Sequence, residues 1–215
     1  MNVSEALRSR RSVRYFGKQE VPEETLRSIV DDAIHAPSWC DAQPWKVYIA
    51  TGSRALEIRE NHRGIAEPGL KGHSDLAAGH REDWGERACA NMARLGSEVM
   101  GFLGDDGNQI ADCQRDLFDA PAIVYLTMHK GTPDFGKLDM GGFAQSLMLS
   151  AREHGVDSVI AYEFVRYPEE ARKFMGIPDD EAVVLGIGLG YADERKINSF
   201  RSSRAPLDEV LIVKS

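Results

Sequence analysis

The clearest early periodicity is helical. Leu26, Ile29, Val30, Ala33 and Ile34 recur at helical spacing behind Val21-Pro22-Glu23-Glu24. Proline suits a first helical turn and acids favour the positive end of the helix dipole. The pattern predicts a helix with one buried face. It ends at Ala36-Pro37-Ser38, because the residue before proline is pushed out of helical geometry. A shorter helix is predicted over residues 3–9. After a loop from Trp39 to Trp45, the run from Lys46 to Gly52 reads as a strand closed by glycine. Ala120 to Met128 is continuously apolar and predicts a central strand. Asp139 to His154 carries Phe143, Leu147 and Ala151 as a stripe, flanked by Met140 and Met148, with Gly155 as a left-handed stop. Val156 to Phe164 and Glu181 to Tyr191 read as third and fourth strands. Between them lies a short helix, Pro168 to Met175, stopped by Gly176. The tail from Ala192 to Ser215 ends in Val210-Leu211-Ile212-Val213, a strand-like segment that needs a sheet edge, its own or a partner's.

Residues 53–118 carry little pattern beyond a helix expected around Arg87 to Phe102. His73, Asp75, His80, Glu82 and Asp83 have the chemistry of metal ligands, but not at HExxH or any similar spacing. A solvated, mobile loop without a metal is expected there. Helices separate most successive strands, and no repeat or linker interrupts the 215 residues. One α+β domain spanning 1–215, built as a three-layer α/β/α sandwich, is expected.

Composition narrows the function. The formal net charge of -8 gives no electrostatic case for nucleic acid or an anionic membrane. No apolar run approaches the roughly 20 residues that cross a bilayer, and no signal peptide is expected. The three cysteines, Cys40, Cys89 and Cys113, are odd in number and widely spaced. They predict reduced thiols and a cytoplasmic protein.

Against that acidic background, Arg8, Arg10, Arg11 and Arg14 crowd into seven positions with Ser9 and Ser12. Arginine's planar fork matches phosphate oxygens two at a time, and serine adds a hydroxyl donor. Taken alone, the cluster is either an anion site or a solvated helix face. Gly186-Ile187-Gly188-Leu189-Gly190 is no dinucleotide fingerprint, because no helix pattern follows it; these glycines read as close-packing positions inside a strand. Cys40 has no evident base, and no catalytic acid or base stands out.

Three separated stretches act together: Arg10 to Phe16, Ala36 to Trp45, and Phe200 to Glu209. In this order and on a chain of this length they closely resemble the nitroreductase superfamily of FMN enzymes. The resemblance implies an intertwined homodimer with a mixed, mainly antiparallel sheet and one FMN in each of two interface clefts. Residues 192–215 would wrap the partner and add a strand to its sheet. Arg10, Arg11, Ser12 and Arg14 would hold the FMN phosphate, ribityl chain and pyrimidine edge, and Arg204 would close on the phosphate. Arg201 would substitute for a second cationic ligand where Ser202 stands. Pro37, Ser38, Trp39 and Asp41 would reach the flavin from the other subunit. Ile160, Ala161, Tyr162 and Glu163 fall where the family places a backbone N–H against flavin N5. Asp41 stands where asparagine is common, and Trp39 and Cys40 replace small polar residues. The implied activity is two-electron transfer from NADH or NADPH to a small nitroaromatic or quinone-type acceptor, with the chemistry on the flavin. Reduction of activated C=C or carbon–halogen bonds, or non-enzymatic flavin binding, are the alternatives.

Overall fold

Two strands buried on both faces carry the sheet. In the computed structural model, which describes residues 1–66 and 70–215, β2 (Ala122–His129) is buried from Ala122 to Met128. Its neighbour β4 (Glu181–Gly190) is nearly as deep. The shorter strands β1 (Lys46–Thr51) and β3 (Asp157–Ile160) form the edges, giving the order β1-β2-β4-β3. Every ladder is antiparallel. A parallel bridge between Ser12 and Ser158 extends the sheet beyond β3 and makes it mixed.

Helices cover both faces, as the three-layer reading requires. Val124, Leu126, Ile187 and Leu189 face α2 (Glu23–Ala33) and α6 (Asp134–Glu153), packing against Leu26, Ile29, Phe143 and Leu147. Ile123, Tyr125 and Val183 face the other way, against Ile58 of α3 (Gly52–Ile65), Leu103 of α4 (Glu86–Leu103) and Ala171 of α7 (Pro168–Met175). Alternate residues of one strand thus feed two cores, and each fully buried aliphatic side chain contributes about 1.5–3 kcal/mol. The short helices α1 (Val3–Ser9) and α5 (Gln109–Arg115) complete the layers. Among the described residues, no helix is long and apolar enough to cross a membrane.

Several boundaries differ from the sequence expectation. The helix expected at Asp139 starts at Asp134, directly after Pro133, in a stretch whose glycines hide the pattern. Ile34, expected on the buried face of α2, is 43 % exposed, because the helix ends at Ala33. The third strand stops at Ile160, and Tyr162–Val165 turns as one 3-10 helix. Helix α3 had no clear pattern because its buried stripe, Ala55, Ile58 and His62, ends in a polar residue. Residues 73–75, expected in a mobile loop, are strapped down. Asp75 accepts from Arg172 Nη2 and from the Val183 N–H, each at 2.7 Å, and His73 Nε2 lies 2.7 Å from Glu169. The tail segment Val210 to Val213 joins no ladder of its own chain, and Ile212 is 81 % exposed.

The glycines of β4 act as close-packing positions. A Cβ on Gly186 would collide with Phe164 Cβ; one on Gly188 would lie 2.9 Å from Phe164 Cζ, and one on Gly190 2.7 Å from Pro121 Cδ. The missing side chains let the 162–165 turn lie flat on the sheet. Gly186→Ala is expected to lower stability by about 1–3 kcal/mol through overpacking, read by urea unfolding. A variant as stable as the wild type would contradict this packing.

Candidate functional site

The two ends of the chain meet beside β3. Val13 N–H donates to Ser158 O at 3.0 Å, which lays the arginine segment along the outer side of that strand. The carboxamide of Asn198, 4 % exposed, then ties the C-terminal stretch to the same segment. Its Oδ1 accepts from the Arg14 N–H at 2.8 Å and the Tyr15 N–H at 3.3 Å, and its Nδ2 donates to Tyr15 O at 2.8 Å. The Asp193 N–H donates to Tyr15 O at 3.1 Å, and the Arg195 guanidinium sits 3.7 Å from the Tyr15 ring centroid.

Between these segments lies a cavity of about 120 Å³ lined by Arg8, Arg10, Arg11, Arg14, Arg201 and Arg204, with Ser9, Ser12 and Ser202. Most other arginines are paired, as in Arg59–Asp119, Arg63–Asp116 and Arg172–Asp75. Among the described residues, none of the six in the cradle has a carboxylate partner. Arg11 Nε is buried with no hydrogen-bond acceptor. Arg201 Nη1 donates to the carbonyls of Asn198 and Phe200, and Arg204 Nη1 to Ser202 and Ser203, which aims two forks without neutralising them. Burial holds Arg10 below the usual arginine value, aided by repulsion from Arg204. Burial does the same to Arg14, and to Arg201 with help from Arg11. A concave cluster of uncompensated guanidinium groups on a protein of net charge -8 demands a multiply charged anion. The donor set and the orphaned Arg11 Nε fit a phosphate dianion such as that of FMN.

The turn after β3 opens toward the same side. Ala161 N–H still bonds Gly186 O at 3.2 Å, after which the chain leaves the sheet. Ile160 and Ala161 are half-buried, Tyr162 is 45 % exposed, and the Glu163 carboxylate points inward. The first N–H groups of this 3-10 turn have no partner within the turn itself. Arg10 to Arg14 and Arg201 to Arg204 are therefore brought together in one cavity, and Ile160 to Glu163 continue the strand that Ser12 and Val13 pair with, without lining that cavity.

Pro37, Ser38, Trp39 and Asp41 are not. Their loop precedes β1, at the opposite edge of the sheet from β3, about 14 Å away at the usual strand spacing of about 4.8 Å. The loop is built as a separate, strained unit, with Cys40, Asp41 and Gln43 all at positive φ. Ser38 Oγ accepts from the Gln43 N–H at 3.0 Å, and Asp41 Oδ1 accepts from Gln43 Nε2 at 2.9 Å. Asp41 thus bonds within its own loop and pairs with no arginine among the described residues. The Trp39 N–H donates to Asp139 Oδ2 at 3.1 Å, and its indole lies 5.0 Å from the Phe135 ring, with Leu138 exposed beside it. One chain presents the arginine cradle at one edge and an apolar, strained loop at the other.

Sequence reasoning missed two groups. Asn198 left no signal, since its work is done on backbone atoms of residues 184 and 183 positions away. A buried polar cluster behind the turn was also unseen. His62 is fully buried with Nδ1 2.7 Å from Glu170 Oε2 and Nε2 3.2 Å from Glu163 Oε1, and Arg166 Nη1 donates to the same Glu163 oxygen at 2.9 Å. A histidine in a helical stripe was the only clue available.

Comparison with known proteins identifies the family. The family described as the nitroreductase family matches residues 7–191. A 4-nitrobenzoate reductase of Pseudomonas putida is 32 % identical over 207 residues, covering 91 % of this chain and 88 % of that protein. The crystal structure of the FMN-dependent nitroreductase NfnB of Mycobacterium smegmatis in complex with NADPH superposes with a TM-score of 0.89 at 28 % identity, over 99 % of this chain and 97 % of the other. An FMN and NADPH-dependent NfnB from Sphigopyxis gives 0.89 at 27 % identity over the whole of both chains. With a family match along most of its length and the shared fold, the chain belongs to the nitroreductase family.

Proposed function

We propose that the protein is an FMN-dependent NAD(P)H oxidoreductase that reduces nitroaromatic or quinone-type acceptors. The observation that carries this reading is the cradle of six unpaired arginines, assembled from both ends of the chain beside the exposed turn after β3. Arg10, Arg11, Arg201 and Arg204 hold the FMN phosphate, each charge-assisted contact contributing about 1.5–3 kcal/mol. Ser12 and Arg14 reach the ribityl chain and the pyrimidine edge. The backbone of Ile160 to Glu163 faces the flavin. When bound, FMN takes two electrons as hydride from NADH or NADPH and passes them to the acceptor. The protein's part is to bind, orient and tune, so no acid or base of the chain is assigned a proton transfer.

The working unit is a homodimer of single-domain subunits whose residues 192–215 wrap the partner. Three observations support it. Pro37, Ser38, Trp39 and Asp41 lie too far from the cradle of their own chain and reach the flavin of the other subunit. The outer side of edge strand β1 opens on a groove of about 780 Å³ between it and α2, lined by Leu26, Val30, Ile34, Val47 and Ile49. The apolar segment Val210 to Val213 is unpaired in its own chain and suits that groove as an added strand. All three cysteines are free, in keeping with a reducing, cytoplasmic setting.

Three outcomes check the proposal. Arg10→Ala with Arg204→Ala is expected to weaken FMN binding at least a hundredfold, at about 1.5–3 kcal/mol per contact; fluorescence titration of the apoprotein reads this, and undiminished affinity removes the phosphate assignment. Because donor and acceptor use one cleft in turn, initial rates with NADH or NADPH and 4-nitrobenzoate should give parallel reciprocal plots. Intersecting plots contradict alternate occupancy. Removal of residues 207–215 should shift sedimentation from dimer toward monomer and lower FMN affinity together, whereas a full-length chain that sediments as a monomer rules out the shared cleft.

A further inference from the structure

The buried cluster behind the flavin-facing turn has no part in the reading above. His62 bridges two carboxylates from different elements: Glu163 of the turn and Glu170 of α7. Glu170 Oε1 also accepts from Asn61 Nδ2 at 2.7 Å. A neutral imidazole has one N–H and one lone pair. It could satisfy only one of these carboxylates and would turn its lone pair on the other, leaving a buried anion opposed rather than paired. Between two ionised carboxylates two donors are needed, and only the imidazolium has them. The charge count agrees. With His62 protonated, Glu163 and Glu170 face His62 and Arg166 and the cluster is neutral; without that proton it carries one net negative charge. The other ionisable groups facing it are Tyr167, whose ring lies 5.8 Å from that of His62, Tyr125 on β2, and Tyr162 at the start of the turn; burial lifts the Tyr167 and Tyr125 phenols above their usual value, so both stay neutral. The nearest further pair, His73 with Glu169, lies beyond Tyr167 and is exposed.

Resting on the flavin assignment of the proposed function, we infer that His62 is a positioning residue: as an imidazolium it pins the flavin-facing turn Tyr162–Val165 to α3 and α7, and together with Arg166 it balances the charges of Glu163 and Glu170 behind the turn. Burial alone would drive the His62 pKa down, but its hydrogen bonds to Glu163 and Glu170 outweigh this and hold the value up. Burial pushes Glu163 up in turn, and His62 and Arg166 more than reverse this. The turn has other ties to its surroundings. Arg166 Nη2 donates to Leu70 O, and the His73 N–H to Arg166 O at 3.0 Å. Arg166, which follows the turn, compensates Glu163 as well, its Nη1 donating to the same oxygen at 2.9 Å; His62 is the cation that reaches Glu163 from α3 and is shared with Glu170. The reduced form of FMN carries more negative charge than the oxidised form. A net anion left behind the turn disfavours it, so removal of the His62 charge lowers the midpoint potential, and removal of the Glu163 charge raises it.

The test is the midpoint potential of the holoenzyme, titrated anaerobically for the wild type, His62→Gln and Glu163→Gln. The two substitutions break the same contact, yet shifts of opposite sign are expected: downward for His62→Gln and upward for Glu163→Gln. Each should be on the order of tenfold in the two-electron equilibrium constant, about 30 mV. Shifts of one sign, or none, overturn the inference while leaving FMN binding intact. Nitrogen-15 NMR of the wild-type apoprotein gives an independent arm. Both ring nitrogens of His62 should be protonated at pH 7, and a neutral ring there overturns the inference. Should His62→Gln not fold, the wild-type holoenzyme still decides. Its potential should bend downward with pH where His62 titrates by NMR, and an unbroken line through that pH counts against the charge. The same proton makes a stability statement: a raised histidine pKa stabilises fully below about pH 6.5 and is lost as pH rises through the folded value. The wild-type advantage in Tm over His62→Gln should therefore shrink toward alkaline pH, and a constant advantage would contradict the imidazolium. A protein that takes up no FMN removes the proposed function and this inference with it.

Discussion

Holding six like charges around one small cavity is the constraint on which the rest of the site depends. Two like charges about 8 Å apart repel by roughly 2 kcal/mol at an effective dielectric of 20, and each added neighbour compounds this. The segments that carry these arginines lie at opposite ends of the chain and would separate if nothing held them. What holds them leaves the six guanidinium groups without carboxylate partners: even the carboxylates of Glu98 and Asp193 bond Ser203 and Asn198 rather than an arginine of the cradle. The Asn198 carboxamide bonds three backbone groups of Arg14 and Tyr15, Ser158 O accepts from Val13, and Tyr15 and Phe200 are buried in the core. These hydrogen bonds and apolar burial position the cations without quenching them, where carboxylates paired with the arginines would have stabilised the fold and filled the site.

The same economy shapes the sheet. Glycines at 186, 188 and 190 remove side chains from the outer half of β4, and Phe164 and Pro121 occupy the space. That lets the chain leave β3 after four residues and expose a turn next to the cradle. At the far edge, β1 is short and its outer side faces a groove rather than another strand. An edge strand left open beside an apolar groove is a liability in a monomer and an asset in an assembly. The strained Trp39–Gln43 loop lies at that edge and the cradle at the other, and in the proposed dimer a two-fold axis would bring the loop of one subunit to the cradle of its partner.

How much of this was legible in the sequence follows from what kind of signal each part leaves. The arginine stretches were readable because phosphate recognition needs a particular residue type in quantity, and so was β2, whose two-sided burial leaves an unbroken apolar run. The β4 glycines were readable because no helix follows them. Helix α3 was not, because its third buried position is His62, and a stripe interrupted by a polar residue scores as surface. Asn198 was invisible, since a carboxamide that bonds backbone looks like any loop asparagine. The strap at residues 73–75 was taken for solvated chain because its anchors, Asp75 to Arg172 and His73 to Glu169, are ionic contacts across about 100 positions that no local pattern encodes.

The cradle and the His62 cluster solve the problem of semi-buried charge in opposite ways. In the cradle, among the described residues, the cations have no carboxylate partner, and on the proposed reading the ligand's phosphate would supply the anion. In the cluster every charge has a partner inside the chain, and breaking any one leaves another stranded. A site that must bind its cofactor firmly yet let that cofactor gain and lose negative charge benefits from both. On the proposed reading, the unmatched cations would hold the constant charge of the phosphate at the mouth. The matched set behind the turn keeps the interior neutral, so that the carboxylate nearest the reacting end neither repels added charge nor drifts in position. Glu163 fits this division: its backbone lies in the open turn, its side chain in the closed network.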